Sequence, residues 1–130
     1  MFSKKIVTFS ISAELKNYNA GQGRHWGMTH AEKARMQRAV KIAGIDECVS
    51  FPFDRKVDIV VTRVLGKGQR FWDQDSVLRG NAKQLIDSLV DAEVLNDDSI
   101  KWIGRCLGDQ DASRREAGPI TEVTFYEHDE

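Results

Sequence analysis

Val57-Asp58-Ile59-Val60-Val61-Thr62-Arg63-Val64-Leu65 is a β-branched run and reads as a central strand. Upstream, Lys5-Ile6-Val7-Thr8-Phe9-Ser10-Ile11 alternates and predicts an opening strand. Between them, Thr29 with Glu32 three residues on is a capping box. The helix it starts runs to about Ala43 and stops at Gly44, with Met36, Ala39, Val40 and Ala43 as its apolar stripe. Phe51-Pro52-Phe53 belongs to the connection into the central strand. Downstream, Gly66-Lys67-Gly68-Gln69-Arg70 is a basic turn, followed by a second helical pattern. Ile100 to Leu107 then reads as a strand, and Ile120 to Tyr126 as the last one. The polar stretch between them, with Asp109, Asp111, Arg114 and Arg115, reads as a long flexible hairpin tip. The order β-α-β-α-β-β predicts an α+β fold over residues 1–130, a single domain with one mixed sheet and helices packed against it.

The composition is that of an ordinary globular chain: 130 residues, 41% hydrophobic and 30% charged. Its net charge of −1 means that any surface for nucleic acid is a local patch balanced by acids elsewhere. Cys48 and Cys106 belong to no metal-spaced set and read as reduced thiols of an intracellular protein, although sequence leaves a disulfide open. His25, His30 and His128 lack zinc-ligand spacing, and His128 falls in an acidic tail expected to fray. The N-terminus has no signal-peptide pattern and no apolar run is long enough to span a membrane, which predicts a cytoplasmic protein.

The chemistry concentrates between Arg70 and Asp98. Asp73 and Asp75 in Arg70-Phe71-Trp72-Asp73-Gln74-Asp75 are two apart, so an extended backbone points both carboxylates to one side. Such a pair repels itself unless a cation lies between, and its oxygens suit Mg²⁺ or Mn²⁺. Alone, Asp-x-Asp is usually a solvated turn. Here a helix carrying Lys83 follows, long enough to return the chain, and then the second pair Asp97-Asp98. That helix has two possible starts. Leu78, Ala82, Leu85 and Leu89 share a face, so it could begin at Ser76, leaving Lys83 about 10 Å along the axis from Asp75. Alternatively Gly80 interrupts the pattern and Asn81 caps a helix with Lys83 in its first turn, with Arg79 as the substitute cation.

These residues resemble the metal-binding core of the RusA family of Holliday-junction resolvases. The family has Asp-x-Asp-Asn, a lysine early in the next helix, an Asp-Ala-Leu-like stretch and an Asp-Asp pair. The corresponding residues are Asp73-Gln74-Asp75-Ser76, Lys83, Asp87-Ser88-Leu89 and Leu95-Asn96-Asp97-Asp98. The chain departs from the pattern at Ser76, in a few extra residues before Lys83, and at Glu93, where the family commonly has glycine. The resemblance extends along most of the chain. It implies a Mg²⁺-dependent endodeoxyribonuclease acting on four-way DNA junctions in recombination and repair, working as a homodimer without a nucleotide cofactor. In that reading Asp73, Asp75 and Asp98 hold the ion, with Asp97 as neighbour or substitute. Lys83 steadies charge developing on the phosphate. The resemblance also favours the Asn81 start.

DNA contacts are expected from Arg24 and His25 in the glycine-rich loop, where Trp26 reads as a structural anchor. Further contacts are expected from Lys33, Arg35 and Arg38 of the first helix, from Lys67 and Arg70 of the turn, and from Arg79. Basic helix faces are usually only solvated, but this is the most basic run of a near-neutral chain. The competing readings are a non-catalytic DNA-binding relative and an acid-rich protein-interaction module.

Overall fold

The computed structural model describes residues 3–11, 30–45, 52–72 and 82–129. In chain order the elements are β1 (Lys5–Ile11), α1 (His30–Ile45), β2 (Val57–Val64), α2 (Ala82–Asp91), β3 (Ile103–Asp111) and β4 (Ile120–Glu127). The strands form one sheet in the order β1-β4-β2-β3. β4 lies antiparallel to β1 and β2, whereas β2 and β3 are parallel. A parallel neighbour cannot follow through a tight turn, and the segment containing α2 supplies the crossover. The sheet is therefore mixed and the domain α+β, as the order of elements predicts.

Strand alternation decides which side is core. Ile59 and Val61 of β2 pair with Phe125 and Val123 of β4, and these with Val7 and Phe9 of β1, while Val57 continues the same phase of β2. All are buried, together with Met36 and Val40 of α1 and Leu85 and Leu89 of α2. Phe125 meets Phe9 edge-on at 5.6 Å and Phe53 at 4.9 Å between centroids. Such ring pairs add about 1 kcal/mol each beyond the area they bury. The other side is mostly polar, with Thr8 and Thr124 hydrogen-bonded at 3.0 Å across the strands. Gln37 of α1 donates to Asp91 of α2 at 2.7 Å and ties the two helices together.

Three expectations change. First, α1 continues past Gly44 to Ile45, since one glycine lowers helix propensity without ending a helix. Second, β3 begins at Ile103 and runs through the polar Gly108-Asp109-Gln110-Asp111. Its extent is set by pairing with β2 up to Val64↔Asp111, not by its own hydrophobicity. Ile100 precedes the strand in a turn and is 85% exposed.

Third, the link from β3 to β4 is not a loose hairpin tip. Those strands flank β2, so residues 112–119 pass across its end. The crossing is close: a Cβ on Gly118 would stand 2.5 Å from the Leu65 carbonyl oxygen. Arg114 holds the link by pairing with both Asp111 and Glu122. The Ser113 hydroxyl and amide, with Arg114, pull Asp111 down to about 2, and Arg114 likewise lowers Glu122.

The end of α2 is informative about Glu93. The Val94 amide reaches back to the Leu89 carbonyl at 2.9 Å, and Glu93 carries φ +63°. This is a left-handed helix terminus built on a residue other than glycine. The strain predicts that Glu93→Gly raises unfolding stability by about 0.5–1 kcal/mol, measured by urea denaturation. A loss of stability would show that the Glu93 side chain makes an offsetting contact.

Candidate functional site

Asp73, Asp75 and Arg79, the centre of the expected metal site, lie outside the described residues, as do Arg24 and His25. What is described is the frame leading to Asp73 and the region containing Asp98.

The frame starts at β2. Gly66 to Gln69 form a turn closed by the Gln69 amide donating to the Gly66 carbonyl at 3.3 Å, with φ +79° at Gly68. That angle needs glycine at the third position of such a turn. The Gln69 side chain returns to accept from the Gly66 amide at 2.7 Å. Arg115 then donates through Nη1 to the carbonyls of both Gly66 and Gln69, each at 2.7 Å. One step further, Arg63 Nη1 donates to the Arg70 carbonyl and to Gln110 Oε1, both at 2.9 Å. Its guanidinium lies 3.8 Å from the Trp72 ring centroid. Gln110 takes both backbone groups of Trp72: Oε1 accepts from its amide at 2.9 Å and Nε2 donates to its carbonyl at 3.1 Å. Lys67 and Arg70, at this turn, are exposed.

Sequence reading gives Arg63 and Gln110 no functional role and puts Arg115 in a flexible hairpin tip. Arg63 had a visible signal. It continues the phase of Val57, Ile59 and Val61, so a central strand points it to the core side, and it is only 4% exposed. A guanidinium so placed must be matched by acceptors and an aromatic face, which the turn supplies.

Lys83 is the second residue of α2 (Ala82–Asp91). Asp97 and Asp98 are exposed, and Asp97 Oδ1 accepts the Asp98 amide at 2.8 Å. The turn through Ser99 leads them into the start of β3, whereas Trp72 is held at its far end by Gln110. Most of β3 separates the two points, about 23 Å at the rise of a strand. Among the described residues, no three His, Cys, Asp or Glu are grouped to hold a metal. Asp73 follows Trp72 directly in sequence, so the separation along β3 counts against Asp73 and Asp98 sharing one ion within a single chain; Asp73 and Asp75 themselves lie outside the described residues. In donor chemistry, a set of carboxylate oxygens fits a hard divalent ion.

On α1, Arg35, Arg38 and Lys41 are exposed, opposite the buried Met36 and Val40. Lys33 lies on the same helix. Arg35, Arg38 and Lys41 make this face basic, and the Lys33 side chain lies outside what the structure describes.

A second polar site was misread. His128 does not fray: its Nδ1 lies 2.7 Å from Asp58 Oδ1, and its side chain is 17% exposed. The Arg105 amide donates to the same oxygen at 2.7 Å. A Cβ at Gly104 would collide with the imidazole, so glycine makes room for the pair. The Glu127 amide donates to the Lys4 carbonyl at 2.9 Å, and the Ser3 hydroxyl donates to Asp129, fastening the tail to the start of β1. Asp58 is the reason. It is 2% exposed on a central strand, and a carboxylate so buried needs donors. Cys106 is free and half-buried, and burial pushes its thiol up, away from nucleophile chemistry.

Among the described residues no helix is long and apolar enough to cross a membrane. No protein-family model matches this chain, and no curated protein matches it closely enough to count as a relative.

Proposed function

We propose that this protein is a metal-dependent endonuclease that cleaves four-way DNA junctions by phosphodiester hydrolysis, acting in the cytoplasm as a homodimer. The observation that carries this reading is the ordered set Asp73-x-Asp75, Lys83 in the first turn of the crossover helix, and Asp97-Asp98 beyond it. Asp73 and Asp75 would hold Mg²⁺ or Mn²⁺, which would supply an activated water and neutralise charge on the phosphate, and Asp98 is assigned to the same ion by the resemblance, not by the geometry of one chain. Lys83 offsets charge developing on the phosphate oxygens. Two symmetrical cuts across a junction are most simply made by two copies on a two-fold axis. The direct test incubates the protein with a synthetic four-way junction and Mg²⁺, resolving products on a denaturing gel. Paired nicks that vanish with EDTA are expected, and an intact junction at micromolar protein refutes the assignment.

Arg24, His25, Lys33, Arg35, Arg38, Lys67, Arg70 and Arg79 are assigned to DNA in this reading. Arg35 and Arg38 are the best placed for testing, being exposed on a helix whose opposite face is buried. The double reversal Arg35→Glu, Arg38→Glu is expected to weaken junction binding roughly tenfold or more and to flatten its salt dependence. Mn²⁺ uptake should stay as in the wild type. Unchanged affinity in a gel shift would move the DNA surface off α1.

A further inference from the structure

We propose that a second copy of this chain seats on the outer edge of β3, the two β3 strands running antiparallel about a two-fold axis at Leu107. The inference rests on the homodimer of the reading above and not on its metal site. β3 is the last strand in the sheet order, so no strand lies on its outer side among the described residues. An open edge offers unpaired amides and carbonyls to another strand, and soluble proteins commonly guard one with lysine or proline. β3, Ile103-Gly104-Arg105-Cys106-Leu107-Gly108-Asp109-Gln110-Asp111, contains neither. Its register fixes which groups face outward. Leu107 pairs with Val60, and the Asp111 carbonyl accepts from the Leu65 amide at 2.9 Å, so Leu107, Asp109 and Asp111 turn their backbone groups to β2. Cys106, Gly108 and Gln110 therefore direct theirs to the open side. There the Gln110 amide donates to the carboxylate of its own neighbour Asp109, at 2.8 Å.

The side chains of Arg105, Leu107 and Asp109 share one face of the strand and are all exposed, Leu107 by 49%. About Leu107 this pattern is self-complementary, with a cation two residues before and a carboxylate two residues after. Antiparallel pairing of Cys106 with Gly108 of the other copy uses the outward backbone groups of both. It sets Leu107 against Leu107, and Arg105 against Asp109 at each end, in an isologous contact. Leu107 and its flanking charges then occupy the non-hydrogen-bonded positions, where opposed side chains lie closest. An axis moved to Arg105 or to Asp109 would oppose like charges, so the charges select one register.

The test places a thiol on the axis: Leu107→Cys in a chain that also carries Cys48→Ser and Cys106→Ser. Opposed Cα atoms at such a position lie about 4.5 Å apart, within reach of a disulfide. Mild oxidation should convert most of this protein to a cross-linked dimer on a non-reducing gel, whereas Ile42→Cys in the same background should stay uncrosslinked. Sedimentation of the wild type at micromolar concentration should show a dimer. Asp109→Arg, which opposes two arginines at each end, should raise its dissociation constant about tenfold or more. The exchange Arg105→Asp, Asp109→Arg restores both pairs in reverse and should return it to within about threefold of wild type, a rescue that loss of folding would not give. If the exchanged chain does not fold, Leu107→Lys takes its place: it alters an exposed side chain, opposes two cations on the axis and should dissociate the dimer. A monomeric wild type overturns this inference and the homodimer together. A wild-type dimer that Asp109→Arg and Leu107→Lys leave intact, with no cross-link through residue 107, overturns this inference alone.

Discussion

Asp73→Asn is expected to cut junction cleavage in Mg²⁺ by roughly a hundredfold or more, because it removes several kcal/mol of metal-borne stabilisation from the reaction. Asn keeps the shape of the side chain and one carbonyl oxygen. It loses the negative charge that makes an oxygen donor hold a hard divalent cation. Repulsion among the acids, and between them and DNA phosphates, falls at the same time. Junction affinity in Ca²⁺ or EDTA should therefore be kept or even tighten, which separates a lost site from a lost fold. Asp75→Asn and Asp98→Asn are expected to behave alike, and Lys83→Ala to lose rate more than metal affinity. Asp98 is the discriminating member, since it precedes the start of β3 while Trp72 is held at the far end. Cleavage that survives Asp98→Asn but not Asp73→Asn would confine the metal to the Asp73–Asp75 pair. Full activity in Asp73→Asn would remove the mechanism.

What was legible in the sequence follows from how strongly each segment determines itself. β1, β2 and β4 alternate with enough β-branched and aromatic residues that burial on one face predicts them almost to the residue. The stripe Met36, Ala39, Val40 and Ala43 likewise fixes the buried side of α1. The end of β3 was not legible. Gly108 to Asp111 has no strand pattern of its own and is extended because β2 beside it demands partners. The same cause hid Gln110, whose partner Trp72 lies 38 residues upstream in sequence. Asp58 and His128 were hidden by distance as well: a lone histidine near a terminus gives no sign of the buried carboxylate that will claim it. The acids of the candidate site were legible as a set because their spacing around α2 is local. Bringing acids to one ion is a tertiary matter that no local spacing fixes.

Asp58→Ala is expected to lower unfolding stability by about 3 kcal/mol at neutral pH, with loss of the pinned C-terminal tail. The carboxylate is 2% exposed, and one oxygen serves both the Arg105 amide and the His128 imidazole. Removing it strands a backbone donor at the edge of β3 and frees the imidazole that fastens residues beyond β4. Asp58→Asn keeps an acceptor for the Arg105 amide and should cost less, about 1 kcal/mol. The pH dependence has a definite sign. Burial pushes the Asp58 carboxyl up, but the Arg105 amide and the His128 hydrogen bond and charge outweigh it, so the folded value lies below the usual 3.8. A group lowered on folding stabilises the native state above its unfolded pKa and loses that contribution as pH falls through the folded value. The gap between wild type and Asp58→Ala should thus be full from about pH 5 upward and shrink below pH 4. Asp111, held near 2, and Glu122 titrate in the same sense in both proteins, so the absolute stability falls in acid for either, and the difference isolates Asp58. Urea denaturation at pH 7 and pH 3 supplies both numbers. A cost under about 0.5 kcal/mol at pH 7 would mean that the strand and its tail hold without this carboxylate.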